Sequence, residues 1–356
     1  MHQTDLRLEP NEASDLCRVF GPEILDRHGW DRAFATVLDE APAEESLALL
    51  VHAAGTRLGR GWEALRVRAD VARGAGRTED AEACAVRDGH LYVFGSQFGS
   101  KAGPLAPSRS WIARVSEESL ADAAAGGRAE MELVRLRFAL HRAVNDALAA
   151  APVELLELGP RSRMAYVDAT IVRGAERGKR WAGRVTSADH PINVEAAEFR
   201  ADGRLVIGLR YPVTADGHPI LVELADVDAL FEEPDAIPSC GSVWVLADVG
   251  NPEAPAGFRA LDSAGDDRFD AVVGDLDAAG KSATVLEDHP EGGNATSQHV
   301  RFSLPLTAAG GDVSSELVHD FGDVRRVEGV AQDRDGHVHY VIDEEGHVAL
   351  RTLVFA

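Results

Sequence analysis

Three segments of the 356-residue chain repeat one another, and an internal repeat constrains the fold more than any other sequence feature. Residues 81–96, 194–210 and 327–343 each carry a glutamate beside small residues, a short apolar run, an Asp-Gly pair and a second apolar run. The glutamates are Glu82, Glu195 and Glu328; the pairs are Asp88-Gly89, Asp202-Gly203 and Asp335-Gly336. Asp and Gly tolerate the positive φ that a tight hairpin turn needs, so each segment predicts a β-hairpin. Phe269-Asp270-Ala271-Val272-Val273-Gly274 reads as a fourth, degraded copy, with Asp270 in the glutamate's place.

Repeated hairpins at intervals near the roughly 40–50 residues of a propeller blade predict an all-β propeller in a single domain spanning residues 1–356. Counting a first blade from residues 14–20, and one between 82 and 195, gives about six blades; five or seven also fit. The three- and four-residue spacing of Val134, Leu136, Phe138, Leu140, Val144 and Leu148 predicts an inserted helix over 130–150. Residues 5–8 and 347–355 read as strands whose pairing in one blade would close the ring and remove an open sheet edge. The segment 251–266, rich in Pro, Gly and Asp, reads as a long surface loop.

Composition narrows the class of partner. With 45% hydrophobic residues the chain can bury a substantial core, so wholesale disorder is excluded. A formal charge of −23, from 36 basic and 59 acidic residues, argues against nucleic acid and against an anionic membrane surface. A small molecule is the expected partner; oligomeric state is not legible. Cys17, Cys84 and Cys240 form no C-x-x-C pair, and neither a signal peptide nor an 18-residue apolar run is visible, so a cytoplasmic protein with reduced thiols is expected.

Residues equally far from a hairpin turn face each other. That places Glu195 opposite Arg210, Glu82 opposite Gly95 or Ser96, and Glu328 opposite Asp343. If these hairpins are the inner strands of blades, their carboxylates gather at one end of the channel. Glu82, Glu195, Asp270 and Glu328 would then offer a ring of hard oxygen ligands suited to Ca²⁺. Three roles stay open for them: accepting backbone N–H bonds or pairing with an arginine such as Arg210, holding a metal, or acid–base catalysis. Crowded carboxylates raise one another's pKa unless a cation or an arginine intervenes. Other candidates are Ser96 as a nucleophile at the channel mouth, Lys101 and Arg210 as anion-binding groups, and His190 overhanging the mouth. His337 and His339 alternate on one strand face beyond the turn, where solvent exposure is expected.

The stretch Ile192-Asn193-Val194-Glu195-Ala196-Ala197, followed by Leu205 through Pro212, resembles the N-I-E-G-L … L-I-G-L-R-x-P signature of an uncharacterised bacterial family. Asp80-Ala81-Glu82-Ala83 with Val93 through Gln97 is similar to the same family's D-L-E-G … G-S-H segment, and the resemblance covers roughly residues 78–345. Ala83 and Ala196 stand where that family has Gly, and Gln97 stands where it has His. The layout is more distantly similar to phytase-like esterase propellers and gluconolactonase-type calcium propellers, whose axial glutamates bind metal. The resemblance implies a hydrolase, with Glu82, Glu195 and Glu328 holding metal or positioning substrate and Arg210 binding a negative group. A phosphate-cradling glycine loop, a dinucleotide fingerprint, a H-E-x-x-H zinc motif and an EF-hand loop are all missing. Two functions remain: a Ca²⁺-containing hydrolase acting on a small anionic molecule, and a non-catalytic propeller that binds a ligand or protein on the same face.

Overall fold

A computed structural model describes residues 2–8, 13–39, 41–72, 76–233, 236–277, 283–344 and 347–354. Residue 355, at the end of the expected last strand, lies outside them. The strands fall into five sheets of four or five strands, so the chain is a β-propeller with five blades among the described residues, one fewer than the six expected. The innermost strands are Ala13–Arg18 in blade 1, Ala81–Arg87 in blade 2, Asn193–Phe199 in blade 3, Gly257–Gly265 in blade 4 and Val327–Gln332 in blade 5. Each lies beside the next, and that of blade 5 lies beside that of blade 1, so the five enclose an axis. In blade 5 the chain's first strand, His2–Leu6, pairs antiparallel with His347–Leu353.

All three repeats form antiparallel hairpins. The Asp88-Gly89 turn has two residues, both at positive φ, and joins Arg87 to its partner His90. In blades 3 and 5 the connection is five residues long, and there only the glycines take positive φ. Because each blade packs on a neighbour at both faces, its inner strands are largely buried on both sides rather than alternating. Leu205, Val206, Ile207 and Leu209 are all fully buried, for example. Five clusters result, one between each adjacent pair of blades, so stability is distributed around the ring.

Two expected elements change type. Residues 129–135 form the fourth strand of blade 2, with Met131 buried and Glu130 and Glu132 exposed, a period of two; the helix runs from Ala139 to Ala150. The supposed loop 251–266 contains the innermost strand of blade 4, because Phe258, Ala260 and Leu261 are needed in its core. The stretch expected to hold a sixth blade is a helical insertion between blades 2 and 3. Its helices pack Tyr166, Val167 and Trp181 against Phe98, Tyr211, Leu276 and Val285 at one end of the axis. No helix of the described residues is long and apolar enough to cross a membrane.

Towards the other end, three buried carboxyls link adjacent inner strands. Asp15 accepts the Cys84 N–H at 2.9 Å, Glu198 accepts Ser263 N–H at 3.3 Å, and Asp262 accepts Gln332 N–H at 2.8 Å. Burial, then the charge of Asp262, pushes Glu198 up to about 8, and burial with the charge of Asp270 pushes Asp262 up to about 7 against the Gln332 N–H bond. A carboxyl raised in the folded state binds more protons there than in the unfolded chain, so its stabilising effect is lost as pH rises through the folded value. The wild type should therefore lose stability relative to Glu198→Gln between about pH 4.5 and pH 8. Urea unfolding of both proteins across that range checks it; parallel pH profiles would contradict it.

Candidate functional site

A cavity of about 580 Å³ opens at the end of the axis covered by the helical insertion. Its side chains are placed there by one recurring device. The innermost strands of blades 2, 3, 4 and 5 each carry a one-residue bulge near the cavity. The extra residue is Glu82, Glu195, Arg259 and Glu328, respectively. A bulge interrupts the alternation of a strand and re-aims a side chain, here into the cavity. In blade 1 the irregularity spans Asp15 and Leu16, and Ser14 lines the cavity. Each bulged residue is followed by Ala or Gly: Ala83, Ala196, Ala260 and Gly329. The close approach explains the last, since a Cβ on Gly329 would meet the Asp15 carbonyl carbon at 2.8 Å.

The fourth member of this ring is a cation. Arg259, buried, directs Nε to Glu328 Oε2 at 2.8 Å and a second nitrogen to Glu328 Oε1, and lies 3.3 Å from Glu195 Oε2. Arg210 donates to Glu195 Oε1 at 2.9 Å and to Asp275 Oδ1 at 2.9 Å, so the Glu195–Arg210 pair read from the hairpin is present. Asn193 adds a third contact to Glu195, Nδ2 to Oε1 at 2.9 Å. Asp270, expected in the ring, is on the second strand of blade 4, facing Asp262. It is bound instead to His299 at 2.9 Å and Arg301 at 2.7 Å. The blade 4 turn is Asp266-Asp267, so the hairpin's first strand lies before Asp270 and the position equivalent to the glutamates is Arg259. The search for a fourth acid concealed it; the shared feature was a charged residue followed by Ala or Gly.

This donor set does not fit the Ca²⁺ expected among Glu82, Glu195, Asp270 and Glu328. Two of the four carboxylates are occupied by guanidinium groups, one is elsewhere, and a positive charge stands at the centre. Among the described residues, one group has carboxylate and imidazole atoms close enough to share a metal: Asp333, Asp335 and His337 in the blade 5 hairpin. Arg32 pairs with both of its carboxylates. His337 Nδ1 and His339 Nε2 both meet Asp333 Oδ2, at 3.0 and 3.1 Å, and His339 is fully buried rather than exposed.

The remaining candidates divide. Lys101 is at the cavity, its Nζ 3.6 Å from Asp277, while its carbonyl accepts bonds from Tyr166 and Thr284, both at 2.8 Å, the first of which fastens the insertion to this loop. Ser96 is buried behind the wall, its hydroxyl donating to Asp80 and accepting from Phe98 N–H at 3.1 Å. His190 lies away from the cavity lining; its Nε2 is 3.2 Å from the Leu156 carbonyl.

One residue missed in the sequence completes the site. Asp80 accepts from Arg109 at 2.8 Å and from Ser96; burial and the charges of Glu195 and Glu79 outweigh these and push it up to about 6. Among the described residues the carboxyl of Glu82, two residues on, has neither a hydrogen bond nor an ion pair. Burial, then the charges of Asp80, Glu195, Asp39 and Glu328, push it well above the ordinary carboxylate range. For Glu328 the charge and hydrogen bonds of Arg259 overcome burial and hold it below that range. The bulges thus bring carboxyl groups of opposite character into one cavity.

No protein-family model matches the sequence, and no curated protein matches it. Among solved structures, the chain is similar to a GH43 endo-arabinanase from Bacillus licheniformis, at 11% identity and a TM-score of 0.42, covering 96% of this chain and 93% of that one. It is also similar to a glucose dehydrogenase, at 11% identity and a TM-score of 0.38 with 98% and 85% covered. A luciferin-regenerating enzyme follows at 9% and 0.38, with 99% and 80% covered. The class defined here, a β-propeller with a charged axial cavity, rests on the sheets and the bulges.

Removing a buried partner leaves uncompensated charge and typically costs about 3–5 kcal/mol. Arg259→Met should lower stability by about that amount, while adding or chelating Ca²⁺ should leave the wild-type melting temperature unchanged. Denaturant and thermal unfolding check both; a wild type stabilised by Ca²⁺ contradicts the assignment of Arg259.

Proposed function

We propose that the protein is a hydrolase that works by acid–base catalysis in the axial cavity, with Glu82 as the proton donor and Asp80 as the base. The observation that carries this reading is the Glu82 carboxyl, unpartnered among the described residues and raised well above the ordinary range by burial and by four surrounding acids, beside Asp80, pushed up to about 6. Two titratable groups whose surroundings push them apart are the usual signature of an acid and a base. Glu82 would pass its proton to the leaving oxygen as the bond to carbon breaks. Asp80 would take a proton from the water that adds to that carbon. Turnover then leaves Glu82 ionised and Asp80 protonated, and one proton returning through solvent resets the pair. Glu195 and Glu328, tied to guanidinium groups, would supply the fixed charge that keeps Glu82 protonated. Ca²⁺ held by Glu82, Glu195 and Glu328 would have to displace both arginines, and no step is assigned to it. A cytoplasmic setting agrees with the cysteine content but plays no part in the chemistry.

A panel of alkyl esters, lactones and glycosides, followed by pH-stat or sugar release, tests the reading. The rate should rise as Asp80 ionises near pH 6 and fall where Glu82 loses its proton. Glu82→Gln should reduce kcat by about 10²–10⁴-fold and remove the alkaline limb. Wild-type turnover in Glu82→Gln, or ligand binding without turnover across the panel, would overturn it; the second result would favour the non-catalytic binding propeller.

A further inference from the structure

We infer that the axial cavity selects a small organic cation bearing N–H donors, a primary ammonium or guanidinium compound, rather than an anion. The inference deepens the hydrolase reading by naming the charge of its substrate. Among the described residues, nine acidic side chains line the cavity against five basic ones. Every one of those basic groups already has a carboxylate partner: Lys101 has Asp277, Arg109 has Asp80, Arg210 has Glu195 and Asp275, Arg259 has Glu328, and Arg326 has Asp343. An anion entering would have to break these pairs inside a field that is already negative. The guanidinium groups that looked free to bind a negative group in the sequence are therefore committed.

The unspent hydrogen-bonding capacity points the same way and is independent of the charge count. Asn193 gives its amide N–H to Glu195, which leaves Oδ1, a buried carbonyl in the cavity lining, without a donor. Asn193 is nine-tenths buried, so solvent does not readily satisfy that oxygen. A buried acceptor left open is costly and favours a ligand N–H. Glu82 is the second open group. It faces Asp80 two residues before it on the strand's approach, Asp39 from blade 1, Glu195 from blade 3 and Glu328 from blade 5. The cations Arg109, Arg210 and Arg259 are each held by other carboxylates. A ligand ammonium among these acids would relieve the repulsion between them. Phe98 and Tyr211 also line the cavity, and aromatic side chains favour a cation over an anion.

Binding should accordingly weaken in acid, as the acids facing the ligand take up protons. The probes are three cations (glucosamine, putrescine and agmatine) with glucose and gluconate as neutral and anionic counterparts of glucosamine. In titration calorimetry at pH 7, at least one cation should bind. Its affinity should fall at least tenfold at pH 5. Glu82→Gln should weaken binding at least tenfold. Glucose and gluconate should bind more weakly than glucosamine. Gluconate binding more tightly than glucosamine, cation affinity undiminished at pH 5, or no binding of any of the three cations would each overturn the inference. Cation binding with hydrolysis unaffected in Glu82→Gln would overturn only the hydrolase reading. Glu82-dependent hydrolysis of neutral substrates without cation binding would overturn only the present inference.

Discussion

The site depends on the ion pairs made by Arg259. Its guanidinium lies between Glu195 and Glu328, two carboxylates brought into the cavity by equivalent bulges, and a positive charge there offsets their repulsion. Glu82, at the equivalent position in blade 2, has no partner among the described residues. One arginine among four equivalent positions therefore breaks the symmetry of the ring, leaving paired carboxylates on one side and a carboxyl raised well above the ordinary range on the other. A ring of four acids would have called for a cation from outside.

The fold makes this possible through strand chemistry. Small residues after each bulged position let neighbouring inner strands approach, as Gly329 does against the carbonyl of Asp15. At the far end, Asp15, Glu198 and Asp262 instead accept backbone N–H groups across the blade boundaries and link the strands. Acids on the same strands thus do two things, according to depth: near the insertion they face a cavity, and deeper they hold blades together. The helical insertion adds the roof, pinned to the Lys101 loop by Tyr166.

Much of this was legible in the sequence. The Asp-Gly hairpins, the three glutamates and the Glu195–Arg210 pair follow from turn chemistry and from counting outward from a turn. Two things were hidden for physical reasons. A repeat search keyed to acids passes over Arg259, because a bulge specifies that a side chain enters the cavity, not its sign. Periodicity over 129–150 mixes a strand with a helix, and a buried propeller strand such as Gly257–Gly265 lacks the alternation that marks an exposed one. The raised carboxyl of Glu82 was beyond reach, since it arises from burial and from acids that the fold brings together, three of them from other blades.

The proposed role of Glu82 as an acid requires that it carry a proton at neutral pH. Difference infrared spectroscopy of the wild type against Glu82→Gln at pH 7 measures it directly, and subtraction removes the other buried acids. The account predicts a carboxylic-acid carbonyl band present in the wild type and lost in the variant. Loss of a carboxylate band instead would show that Glu82 is ionised and contradict the account.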